Sequence, residues 1–224
     1  MSPVSADLNP DLSRVLRTLA APSLGSAVES RAGRDSPAMI GREALTLSSS
    51  AISYRIVPVT HVHGETIGTG EATLCAPGLA AQSGELRAVA AAACTLGTAI
   101  QERVSALFAA RQPSHALALD MAGNQLLFRL AHRTVAAIRG EARRKGLGLG
   151  IEASPGDPGV PLCQQATVLA LANAARIGIS ATETGMLSPL KSLSFLVALG
   201  PNLRKRAAPG RCSCCPSRDR CTVK

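Results

Sequence analysis

Apolar residues follow two different periods along this chain. Ile52 to Thr60 is rich in β-branched residues and predicts a strand, with Glu65 to Leu74 as its neighbour and His63-Gly64 as the turn between them. Asp11 to Ala21 spaces Leu12, Val15, Leu16 and Leu19 as an amphipathic helix does, and Pro22 to Pro37 reads as a linker. Leu79 to Ala110 is alanine-rich and predicts helix, broken near Thr95-Leu-Gly97. Ala116 to Leu119 predicts a short apolar strand, and Asn124 to Lys145 a long helix that Gly146 to Gly150 ends. A short strand follows from Ile151, then a helix over Pro161 to Arg176 with proline in its first turn, then strands over Ile177 to Thr182 and Ser192 to Leu199. Helices and strands that do not strictly alternate predict a single α+β domain: a mixed or antiparallel sheet with a long central helix and flanking helices. The expected organisation is a partly helical extension over 1–50, the domain over 51–200 and a tail over 201–224.

Composition narrows the picture. Tyr54, Phe108, Phe128 and Phe195 are the only aromatics, so Ala, Leu, Val and Ile must build the core. No apolar run approaches the ~20 residues of a membrane span, and no basic-then-apolar start marks a secretory signal. The expected location is the cytoplasm, without a membrane partner. The net charge is +9, and the tail holds much of it: Arg204, Lys205, Arg206, Arg211, Arg218, Arg220 and Lys224 stand against Asp219 alone. Such a tail suits an acidic partner or a solvated end. It lacks the stacking aromatics of a nucleic-acid binder.

Candidate chemistry is sparse. The chain has no nucleophile elbow, Walker loop or dinucleotide fingerprint, and no residue is singled out as catalytic. His61 and His63 would share a strand face, as a metal pair or as exposed residues flanking a turn. His115 is isolated, and His132, beside Arg133, is expected to face solvent. Asp120 is expected at a strand end, where it contacts a ligand or caps the next helix. Cys75, Cys94 and Cys163 stand among apolar neighbours and are expected to be buried. Cys212, Cys214, Cys215 and Cys221 fall within ten residues, among arginines that favour thiolates. They fit an iron–sulfur cluster, a structural zinc or a redox-active tail, and the spacing does not choose among these.

Several short segments share one resemblance: Ala93-Cys-Thr-Leu-Gly97, Ala118-Leu-Asp-Met-Ala-Gly123, Ser154-Pro-Gly156 and Met186-Leu-Ser-Pro-Leu-Lys-Ser192. Over about two-thirds of its length, Tyr54 to Gly200, the chain resembles the reactivation (activation) domain of cobalamin-dependent methionine synthase, in its short stand-alone form. That resemblance implies binding of S-adenosylmethionine beside a corrin ring. It also implies reduction of cobalt by an external electron donor, followed by methyl transfer to the metal, with the cofactors carrying the chemistry. The chain would then be an accessory to a corrinoid-binding protein or methyltransferase rather than a complete methyltransferase, with cobalamin supplied by the partner. The resemblance places Ser154, Pro155 and Gly156 in a ligand loop. Lys191 matches a basic residue that orients a ligand or corrin side chain; solvation at a strand end is the alternative. Three positions depart from the pattern. Glu152 stands where the family has Arg, Asp157 where it has Tyr, and Met121 to Gly140 contains no acid where the family places a Glu.

Overall fold

The computed structural model describes residues 36–82 and 85–203. Helix α1 (Pro37–Leu47) starts at Ser36, whose Oγ accepts from the Met39 amide, with proline in the first turn, where its missing N–H costs nothing. Strand β1 (Ala51–His63) turns through Gly64, at φ +58°, into β2 (Thr66–Thr69), and β3 (Thr73–Cys75) follows. These three strands are antiparallel, with Val62 opposite Ile67 and Ile67 opposite Leu74. The segment expected as one strand over 65–74 is thus two, separated by a turn in which the Thr69 hydroxyl bonds Ala72.

After the short α2 (Pro77–Ala80) comes β4 (Ala88–Thr95), all eight residues of which are buried. Sequence reading assigned this stretch to helix, because alanine favours helices. Burial along its whole length overrides that weak preference, since small side chains suit an interior strand. Helix α3 (Ala99–Ala109) precedes α4 (Pro113–Arg144), a single helix of 32 residues. The expected strand over 116–119 is its second turn. The local alternation His115-Ala-Leu-Ala-Leu119 imitates a strand, yet the buried positions Ala116, Leu119, Leu126, Leu130 and Ile138 keep a helical period. Strand β5 (Gly148–Ala153), a 3₁₀ turn over Leu162–Gln164, α5 (Gln165–Ala172) and a second 3₁₀ turn over Ala174–Ile177 follow. The helix expected over 161–176 is therefore interrupted at Asn173, in the left-handed region at φ +55°. A small hairpin, β6 (Ser180–Ala181) and β7 (Leu187–Ser188), leads through a cis Ser188–Pro189 bond to β8 (Ser192–Gly200).

The main sheet has the order β3-β2-β1-β4-β8-β5, and β5 and β8 are antiparallel. The α+β class is as expected from the sequence. By contacts the chain forms two compact units. The first takes in described residues up to Ser53, with Ala93–Thr134 and Ala174–Leu193; the second takes in Tyr54–Ala92, Val135–Asn173 and residues from Ser194. Leu96, Ile100, Leu107, Leu119 and Leu126 fill the core of the first unit, and Ile67, Leu74, Leu79, Ile138 and Leu171 that of the second.

In the first unit Glu43 of α1 ties two other helices. It accepts from Arg103 Nε of α3 at 2.8 Å and bonds His115 Nε2 of α4 at 2.7 Å. Burial pushes its carboxyl upward, but the bonds and charges of Arg103 and His115 outweigh this and hold it below its ordinary value of 4.5. A lowered folded value means that this group's stabilisation is present above the unfolded value and is lost as pH falls through the folded one. Glu43→Gln is expected to flatten the acid limb of a plot of urea midpoint against pH. Superimposable limbs for the two proteins would refute this.

Candidate functional site

Lys191, the residue before β8, is only 7% exposed. An ammonium cannot stay so deep without partners. It finds them on α4: Nζ donates to Asp120 Oδ1 at 2.6 Å, to Asn124 Oδ1 at 2.7 Å and, more weakly, to the Asp120 carbonyl at 3.4 Å. Asp120 and Asn124 are four residues apart, hence on one helix face, and Asn124 Nδ2 donates back to Asp120 Oδ2 at 3.2 Å. Gly123 lies between them. A Cβ there would stand 3.4 Å from the Lys191 stem and 3.1 Å from Ile100, so glycine makes room for the crossing.

The backbone of Lys191 is held as firmly. Its carbonyl accepts from the Leu96 amide and the Thr95 hydroxyl. The same hydroxyl accepts from Ser192 Oγ at 2.9 Å and from the Gly97 amide at 3.0 Å. The result is a fixed polar cluster whose outer member, the Asp120 carboxylate, keeps 41% of its side chain exposed. Exposed apolar side chains flank it in sequence: Leu117 and Met121 on α4, and Met186 and Leu190 on the approach to Lys191.

Two expectations are corrected here. Asp120 lies inside α4, not at a strand end, so it caps no helix. Lys191 is buried and paired rather than solvated. Sequence reading missed Asn124, Thr95 and Ser192 as partners. Only the four-residue step from Asp120 to Asn124 could have hinted at the first.

The loop after β5 belongs to the second unit. Ser154 and Asp157 bond across a tight turn that contains Gly156 at φ +93°, a conformation that glycine adopts without strain. The Ser154 amide donates to Asp157 Oδ2 at 2.9 Å, and the Gly156 amide to the Val160 carbonyl at 2.8 Å. The Asp157 amide returns to the Ser154 carbonyl at 2.9 Å. Gly159, at φ +97°, accepts from the Gly78 amide of α2 through its carbonyl at 3.4 Å, and a Cβ on Gly159 would stand 3.1 Å from that amide nitrogen, so the two backbones meet closely there.

The remaining candidates are dispersed. His61 and His63 are exposed on β1; the His61 ring lies over Gly68 of β2, and its Nδ1 is 3.1 Å from Thr60 Oγ1. His132 faces solvent as expected, whereas His115 is engaged with Glu43. Among the described residues no three His, Cys, Asp or Glu side chains gather as a metal site requires. Cys94 is buried, and burial pushes its thiol up to about 12 against a backbone hydrogen bond at Leu193, so it is not a nucleophile near neutrality. Cys75 is only partly buried and Cys163 is exposed, against the expectation of burial, because Cys163 falls on the outer side of the 3₁₀ turn. Cys212, Cys214, Cys215 and Cys221 lie outside the described residues, as does the helix expected over 11–21. No helix among the described residues is long and apolar enough to cross a membrane.

No protein-family model matches the chain, and no curated protein matches it. Among solved structures it is similar to the MetH reactivation domain bound to AdoHcy, with a TM-score of 0.63 and 18% identity, over 92% of this chain and 80% of that one. At this identity the likeness is one of architecture: the chain has a fold similar to that of the MetH reactivation domain.

Proposed function

We propose that this protein is a reactivation-domain-like accessory of a corrinoid methyltransferase system, acting in trans on a corrinoid held by a partner protein. The observation that carries the reading is the fold match across 92% of this chain to the MetH reactivation domain bound to AdoHcy. The residues of this chain fit such a ligand in part. Asp120, fixed by Lys191 and Asn124, offers a stationary carboxylate to a cationic sulfonium. Leu117 and Met121 on α4, and Met186 and Leu190 just before Lys191, are exposed apolar side chains suited to a partner surface. The Ser154-Pro155-Gly156 loop, in the second unit, is a separate candidate, and its Ser154 and Gly156 amides are engaged within it. When bound, a sulfonium supplies an activated methyl group. The protein's task is to hold that group and the partner's corrin in one orientation. The domain-like region is 51–200. A metal or redox role for the cysteine tail, with iron–sulfur or zinc bound by Cys212, Cys214, Cys215 and Cys221, remains a reading of the sequence alone.

The test is transfer of a labelled methyl group from an S-adenosyl sulfonium to a separate, oxidised corrinoid protein under reducing conditions. Addition of this chain is expected to raise the rate at least ~10-fold, about 1.4 kcal/mol of barrier. An unchanged rate across several corrinoid proteins would remove the accessory role.

A further inference from the structure

We infer that residues 11–21 of this chain dock on an exposed apolar stripe of α4 in the first unit and cover it. The stripe consists of Leu117, Met121 and Phe128, three large exposed side chains. At about 100° per residue they fall within ~40° of one another around the helix, and they span ~16 Å along it. Asn124 completes a run of steps of four, three and four residues, the kind of seam against which a second helix packs. Its Oδ1 already accepts from Lys191 and its Nδ2 donates to Asp120, so a covering helix would leave neither end unpaired. The stripe is narrow. The exposed Ser114, Gln125 and His132 border it on one side and Asp120 on the other. It therefore fits one amphipathic helix better than a broad protein surface.

The same chain carries a matching stripe. Outside the described residues lie 1–35, 83–84 and 204–224, and within them only Asp11 to Ala21 places four large apolar residues at helical spacing: Leu12, Val15, Leu16 and Leu19. Leu12, Val15 and Leu19 take steps of three and four, as the α4 stripe does. The point of attachment is close by. Residues 22–35 join the segment to Ser36, which caps α1, and α1 meets α4 where Glu43 bonds His115 at 2.7 Å. From Ser36 to Glu43 is ~10 Å of helix, and from His115 to Phe128 ~20 Å. Residues 22–35 can span up to ~45 Å when extended, so the whole stripe lies within reach. So short a tether gives the segment an effective concentration on the order of 1 mM at the stripe, well above that of a second copy in a micromolar solution. A partner that uses this face must displace the segment first, which makes residues 11–21 a competitive cover. The docking itself does not depend on the accessory reading above.

The chain has no Trp, so a single introduced one reports its own surroundings by fluorescence. In the full chain, Leu16→Trp and Leu12→Trp are each expected to emit to the blue of the urea-unfolded protein. Ala21→Trp, on the opposite side of the segment, should emit as the unfolded protein does. Met121→Glu or Phe128→Glu, combined with Leu16→Trp, is expected to shift the emission back to the red. Both α4 positions are exposed, so circular dichroism should show an unchanged fold. Solvent-like emission from both Leu16→Trp and Leu12→Trp would overturn the inference. So would a blue shift indifferent to both α4 substitutions, which would place the segment elsewhere. A blue shift that disappears on ~100-fold dilution would overturn docking within one chain and assign the stripe to a second copy. None of these measurements involves a corrinoid or a sulfonium. Their failure leaves the accessory role standing, and a failure of methyl transfer leaves the docking standing.

Discussion

Asp120→Ala is expected to destabilise the protein by about 2–4 kcal/mol, more than Lys191→Met at the other end of the same ion pair. Breaking a buried pair costs ~3–5 kcal/mol when the charge left behind stays buried. The two partners differ in that respect: the Lys191 side chain is 9% exposed and that of Asp120 41%. Removing Asp120 strands an ammonium with Asn124 Oδ1 at 2.7 Å and a carbonyl at 3.4 Å. Removing Lys191 leaves a carboxylate that water reaches and Asn124 still contacts, and methionine keeps most of the buried stem, so a loss of about 1–2 kcal/mol is expected. The double variant Asp120→Ala/Lys191→Met should recover part of the difference, because no charge is then stranded. Urea midpoints for the four proteins decide the matter. A larger loss for Lys191→Met than for Asp120→Ala would show that packing of the lysine stem, not its charge, holds the cluster together.

Gly200→Ala is expected to cost about 3 kcal/mol, or to prevent folding. A Cβ at this position would stand 2.8 Å from the Glu85 carbonyl carbon and closer still to its oxygen. Both are backbone atoms, next to the bond from the Arg87 amide to the Leu199 carbonyl. The chain at Glu85 cannot withdraw without breaking that pairing. The clash therefore falls at the severe end of overpacking, which ordinarily costs ~1–3 kcal/mol. For a chain of this size the loss corresponds to roughly 6–12 °C in Tm. Gly70 is the control, since an added Cβ there has no neighbour within 4 Å; Gly70→Ala should melt with the parent. A Gly200→Ala protein that does so as well would mean that the end of β8 yields more easily than its packing suggests.

How much of this was legible in the sequence depends on the range of the interaction. Strand β1 announced itself through β-branched residues and the His63-Gly64 turn, and the C-terminal two-thirds of α4 through its period. β4 did not, because Ala88 to Thr95 carries a helical composition and only its sheet neighbours make it a strand. The first turns of α4 were hidden by four residues of accidental alternation. In the candidate site, Asp120 and Lys191 were picked out individually. Their bond spans 71 residues, and that of Thr95 to Ser192 spans 97, and no local pattern encodes such a meeting. For the same reason Asp157 read as a departure from a pattern, whereas its Oδ2 has a definite task three residues away.

The place of β8 in the sheet bears on how the protein is made. It lies between β4 and β5, yet among the described strands it is the last to be synthesised. At ~5–20 residues per second, the ribosome takes on the order of 5–20 s to travel from Thr95 to Ser192. Throughout that interval β4, every residue of which ends up buried, has no neighbour on one side. Local helices such as α3 and α4 can form as they emerge, but the middle of the sheet closes only after the whole of β8 has been added, and non-local closure of that kind is intrinsically slow.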